Sequence, residues 1–197
     1  KSDKFICVSR PRRFGKTLAA NMIAAYYTKG VDSHDAFKGL KIESDSSFEE
    51  YINKYNVLKL DAISFYYGRI KGQSSMEKLI SLVIPEFREQ FTDLVFPDTC
   101  NIAQAIRTVY EEKKEQFVII IDEYDVMVRE NDREEMEPYL NFLNGLFKNS
   151  NLAPAIALSY VTGILPVIKC EVQSKLNNFI LCEGFGNAKV FQPCLAS

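Results

Sequence analysis

The segment Ser9-Arg10-Pro11-Arg12-Arg13-Phe14-Gly15-Lys16-Thr17 gathers three arginines, a lysine and two hydroxyls around one glycine. Gly15 lets backbone approach an anion, Lys16 can reach the outer phosphates of a nucleoside triphosphate, and the Thr17 hydroxyl can face magnesium. Far downstream, Phe117-Val118-Ile119-Ile120-Ile121 runs into Asp122-Glu123. An acid leaving an apolar strand is where a phosphate-bound magnesium finds a carboxylate. Asp122 therefore joins Thr17 as a candidate metal residue. Glu123 is the candidate to orient or deprotonate an attacking water. Glu123 and Lys16 are the candidate catalytic pair, and Arg10, Pro11, Arg12, Arg13, Phe14, Gly15, Lys16, Thr17 and Leu18 the candidate nucleotide-binding set.

The loop departs from the full pattern G-x-x-x-x-G-K-[ST], because Arg10 stands where the first glycine belongs. Pro11 restricts Arg10 to extended backbone, which directs the loop differently. The flanks supply the context such a loop needs. Phe5-Ile6-Cys7-Val8 has strand length, and from Leu18 onward Ala19, Met22, Ile23 and Tyr26 fall on one helical face. A helix starting there would add its free N–H groups and dipole to the anion site. Val118–Ile121 is an unbroken β-branched run of the kind buried on both faces of a parallel sheet. Ligands of open α/β sheets collect at the carboxyl ends of such strands. A basic surface turn would explain the loop alone, and two turn acids would explain Asp122 and Glu123 alone. Neither explains the pair.

These stretches, with Ile120-Ile121-Asp122-Glu123-Tyr124-Asp125 and Ala157-Leu158-Ser159-Tyr160-Val161-Thr162-Gly163-Ile164-Leu165-Pro166, resemble the bacterial AAA-ATPase-like family. Its members often carry a C-terminal PD-(D/E)xK nuclease-like domain. With glycine in place of Arg10, the loop is also similar to that of archaeal and STAND-type ATPases. The likeness covers residues 4–179, including Phe37–Ile42 and the run Val57–Leu60. It implies an α/β fold of the three-layer P-loop NTPase-like kind, with a mainly parallel sheet. It implies ATP and magnesium as ligands, Lys16 on the phosphates, Thr17 and Asp122 on the metal, Glu123 as the catalytic acid, and Thr162 as a sensor near the γ-phosphate. The expected domain is 1–179. Residues 180–197 depart from the family's continuation and read as the divergent tail of a truncated or frame-shifted member, its nuclease-like partner domain missing. The segment ahead of the first strand, which would pack beside the base, is short here.

Bulk properties bound the alternatives. A chain of 197 residues with 47% hydrophobic and 25% charged residues is of ordinary globular composition. A net charge of −2 argues against nonspecific nucleic-acid or anionic-membrane binding. Five scattered cysteines without a C-x-x-C pair fit reduced thiols in a cytoplasmic protein. The single histidine, His34, lies in a polar stretch and carries no metal expectation. No apolar run approaches the about 18 residues of a membrane span.

Strand and helix signals alternate, as a three-layer sheet requires. Phe48, Tyr51 and Ile52 suggest a short helix, and Val57–Ala62 a second strand. Met76, Leu79, Ile80, Val83, Ile84 and Phe87 mark a helix face with a kink expected at Pro85. Asn101 and Gln104 form a capping box. A further helix is expected to start near Pro138, and a fourth strand spans Ala155–Val161 between strands one and three. Only Gly184–Gln192 offers a fifth strand, and it is a poor one, so strand one is expected to be an open edge.

Two other functions compete with ATP hydrolysis. One is a nucleotide-dependent switch whose turnover is incidental. The other is a nuclease, because Pro97-Asp98 with Glu112-Lys113-Lys114 imitates a PD…ExK spacing; those nuclease groups sit on adjoining strands, whereas Glu111–Lys114 read as the solvated end of a helix. Arg129 and Arg133 are weaker candidates for an arginine finger.

Overall fold

The computed structural model describes residues 4–165 and 180–183. Five strands form one sheet: β1 (Phe5–Ser9), β2 (Asn56–Asp61), β3 (Phe117–Asp122), β4 (Ile156–Gly163) and β5 (Ile180–Glu183), in the order β2-β3-β4-β1-β5. Every pairing is parallel. Among the described residues eight α-helical segments accompany them: α1 (Lys16–Tyr27), α2 (His34–Phe37), α3 (Phe48–Tyr51), α4 (Ala62–Tyr67), α5 (Ser75–Gln90), α6 (Ile102–Lys113), α7 (Val126–Arg129) and α8 (Arg133–Phe147).

All six residues of β3 are buried, as its β-branched run requires. The strand's period of two divides them between two cores. Val118 and Ile120 join Ala20 of α1 and Tyr160 on one face. Phe117, Ile119 and Ile121 face the larger core built from α4, α5, α6 and α8. Helices thus cover both faces, the three-layer arrangement expected. Tyr26, Phe37, Phe48 and Ile52 form a third cluster that fastens α2 and α3 to α1. Rings of Tyr26 and Phe37 meet edge to face with centroids 5.4 Å apart, a favourable aromatic geometry.

Local signals read from the sequence hold for several elements. Leu79, Val83, Ile84 and Phe87 of α5 are buried. The box at Asn101 is complete: its side chain accepts from the Gln104 N–H, and the Gln104 side chain accepts from the Asn101 N–H. Strand four does lie between strands one and three.

Three expectations need correction. β5 lies at Ile180–Glu183 and pairs with β1, so strand one is interior; Gly184–Gln192 lies outside the described residues. α1 begins at Lys16, not Leu18, and its inner face turns about Lys16, Ala20 and Tyr26, leaving Met22 exposed. Ala19, Ile23 and Tyr26 of the apolar stripe do pack inward, and Met22 departs from it because α1 lays small Ala20 against the sheet. α8 begins at Arg133, where Asp132 caps it through the Glu135 N–H, so Pro138 is interior. The nuclease-like spacing fails as the helical reading of Glu111–Lys114 requires, because its residues do not sit on adjoining strands. Asp98 is in a loop and pairs with Arg88, while Glu112 and Lys113 lie on α6 and Lys114 is its C-cap.

Candidate functional site

β1 ends at Ser9, and the chain turns through the basic loop into α1. Gly15 is the N-cap residue with φ 75°, a left-handed conformation that glycine adopts without cost. Arg13 takes φ 68° in the same turn. The first turn of α1 holds no acid, and its leading N–H groups have no partner within the helix. Its positive dipole end therefore opens toward the loop. The loop's root is tied across the sheet, since the Arg10 N–H donates to the Gly163 carbonyl at 3.1 Å.

β3 delivers the acids to the same rim. The Lys16 ammonium lies 3.5 Å from Glu123 Oε1 and 3.3 Å from the Pro11 carbonyl. Loop and acid pair, distant in the chain, therefore meet. Glu123 adopts φ 53°, left-handed for a residue that is not glycine, and such strain concentrates at functional sites. Its second oxygen lies 2.7 Å from the Arg129 guanidinium.

Asp122 is almost fully buried. Its Oδ1 accepts from the Thr162 hydroxyl at 2.5 Å and from the Glu123 N–H at 3.1 Å. Oδ2 accepts no hydrogen bond from the described residues. Asp125 is completely buried, and one of its oxygens accepts from the N–H groups of Ile164 and Leu165 at 3.0 and 2.7 Å. Beside it, burial and then the Asp125 charge push the Tyr139 phenol pKa upward. At the outer rim, a hydrogen bond to Glu130 raises that of Tyr67.

Between these groups lies a cleft of about 330 Å³, lined by Arg12, Arg13, Gly15, Lys16, Thr17, Leu18, Ile63, Glu123 and Arg129. That volume is at the small end for a ligand site. Four cations face one carboxylate there, so the cleft suits a multiply charged anion.

Of the residues read from sequence, Arg12, Arg13, Gly15, Lys16, Thr17, Leu18 and Glu123 line the cleft. Arg10, Pro11 and Phe14 belong to the loop but stand off its wall, and Phe14 is exposed. Thr162 lies behind the wall, fully buried against Asp122. Arg133 is exposed and away from the cleft. Sequence reasoning gave Arg129 only a minor place and Asp125 none. The signal available was the spacing of Asp125 and Arg129, which stacks them on one helical turn. Among the described residues no group of three His, Cys, Asp or Glu side chains could enclose a metal, and no helix is long and apolar enough to cross a membrane.

A family model described as "Predicted AAA-ATPase" matches residues 1–173. Among curated proteins, an uncharacterized protein encoded in the vnfD 5′ region of Azotobacter chroococcum mcd 1 is 26% identical over 179 residues. The alignment takes in 87% of this chain and 32% of that protein, so the chain spans about a third of its relative's length.

Proposed function

The chain belongs to the predicted AAA-ATPase family, and on that footing we propose that it binds ATP with magnesium in the cationic cleft and hydrolyses the nucleotide slowly. One observation carries the proposal: Lys16 of the glycine turn and Glu123 of the distant strand end meet at 3.5 Å on a cleft with three further cations.

Catalysis at such sites is positioning and charge stabilisation, with little covalent work for the protein. The N–H groups of the first turn of α1 and the Lys16 ammonium would take the phosphate oxygens, with Arg12 and Arg13 adding positive potential at the mouth. Thr17 and Asp122 are the residues that would hold magnesium, and the unpartnered Asp122 Oδ2 suits a metal-bound water. When bound, the ion would neutralise charge developing on the β- and γ-phosphate oxygens. Glu123 accepts a proton from water as the water oxygen bonds to the γ-phosphorus, while the bond to the bridging oxygen breaks and ADP leaves. Thr162 serves this chemistry by orienting Asp122.

A second reading, a nucleotide switch without significant turnover, draws on the engagement of both Glu123 oxygens by cations. The nucleotide state would then act on a partner or on a further domain such as the nuclease-like one of the resemblance. Single-turnover phosphate release from the parent and Glu123→Gln separates the two. Hydrolysis expects release from the parent, and binding without release from the variant. A parent that binds ATP yet releases no phosphate selects the switch.

A further inference from the structure

Glu123 is held from two sides by cations of different origin. Lys16 comes from the loop that would be drawn to phosphate. Arg129 comes from α7, and its guanidinium is largely buried, 14% exposed. Its Nη2 lies 2.7 Å from Glu123 Oε2, and its Nε lies 3.5 Å from Asp125 Oδ1. Neither that Nε nor that Oδ1 has a hydrogen-bond partner among the described residues, so within this buried site each depends on the other. Asp125 is anchored in turn by the two backbone N–H groups that follow β4. Charges therefore alternate in a line from the end of β4 through Asp125, Arg129 and Glu123 to Lys16.

The two ends of that line differ in permanence. A triphosphate would recruit Lys16 away from Glu123, whereas Arg129 is committed to two carboxylates and has no such competitor among the described residues. A carboxylate on a strained left-handed residue needs such a brace to keep its place once Lys16 leaves. We propose that Arg129, braced by Asp125, is the positioning residue that keeps Glu123 aimed into the cleft, so that it acts through Glu123 and does not itself contact phosphate. The proposal rests on the hydrolysis reading above.

Its test is a cycle of parent, Glu123→Gln, Arg129→Met and the double variant, with two readouts. The first is the thermal midpoint without nucleotide, and the second is single-turnover ATP hydrolysis. The expected result is non-additivity in both. The double variant should melt no lower than the weaker single variant, and should hydrolyse no more slowly than Glu123→Gln. Arg129→Lys keeps the charge but cannot span both carboxylates. It should lose about 10- to 100-fold in kcat, as a misplaced catalytic group does, with nucleotide affinity close to that of the parent. Additive losses, or an Arg129→Lys defect confined to affinity, would overturn the proposal in favour of a direct phosphate contact. A parent that binds but does not hydrolyse would remove the hydrolysis reading, and the midpoint cycle would still decide whether the two side chains are coupled.

Discussion

Gly163→Ala tests how tightly the end of β4 is fitted to Tyr124 and Asp125, which follow β3. A Cβ at Gly163 would stand 2.6 Å from Tyr124 Cε1 and 2.8 Å from Asp125 Oδ1. Carbon atoms in contact prefer about 3.5–4.0 Å, so the ring would have to retreat by roughly 1 Å. It is poorly placed to do so, being 1% exposed, with its hydroxyl donating to the Leu165 carbonyl at 2.7 Å. Asp125 is pinned by the N–H groups of Ile164 and Leu165. Overpacking costs about 1–3 kcal/mol, and two immobile neighbours put this site near 3. For a chain of this size, each kcal/mol lowers Tm by about 2–4 °C. The expected fall is therefore about 6–12 °C, measured by circular dichroism on heating. Because a shifted Asp125 carries Arg129 with it, phosphate release at a temperature where the variant is folded should fall by about 10-fold or more. A midpoint within about 2 °C of the parent's with unchanged phosphate release would refute the packing argument.

Further consequences follow for other positions. Thr162→Val removes the hydroxyl that donates to the buried Asp122 carboxylate; a hydrogen bond to a charged group is worth about 1.5–3 kcal/mol, so urea unfolding should show a loss of that order, and equal stability would contradict the assigned contact. Asn101→Ala breaks the capping box of α6 and should cost about 1 kcal/mol in the same assay, whereas no cost would mean the cap is idle. His34 has its pKa raised above 6.5 by hydrogen bonds to Asp32 and then Glu49. A raised folded-state value means that its stabilising contribution is complete below pH 6.5 and disappears as pH rises through the elevated pKa; an NMR titration should find that value above 6.5 and lower in Asp32→Asn, and a parent value at or below 6.5 would contradict the pairing.

What the sequence disclosed was local. Gly15-Lys16-Thr17, the β-branched run into Asp122 and the Asn101–Gln104 box each carry their geometry in residue type and spacing. Where the outcome depended on what an element packs against, the pattern misled. The stripe through Met22 has helical spacing, yet the sheet takes the small Ala20 and leaves Met22 to solvent. Pro138 resembles a helix start, but Asp132 caps the helix six residues earlier, and tertiary burial of Tyr139, Leu140 and Leu143 carries it through the proline. Ile180–Glu183 is too short to announce a strand alone, and β1 supplies the partner that makes it one. Contacts that join distant segments, Thr162 to Asp122 and Asp125 to Ile164 and Leu165, leave no periodic trace at all. Asp125 and Arg129 matter because the fold encloses them.

The central claim is that the cationic cleft holds a nucleoside triphosphate through Lys16. Titrating the chain with a fluorescent ATP analogue and magnesium, alongside Lys16→Ala folded to the same extent by circular dichroism, addresses it directly. Saturable binding at one site per chain is expected, weakened at least 10-fold in the variant, about 1.4 kcal/mol. Equal affinity in the two proteins, or no saturable binding by the parent, would contradict it.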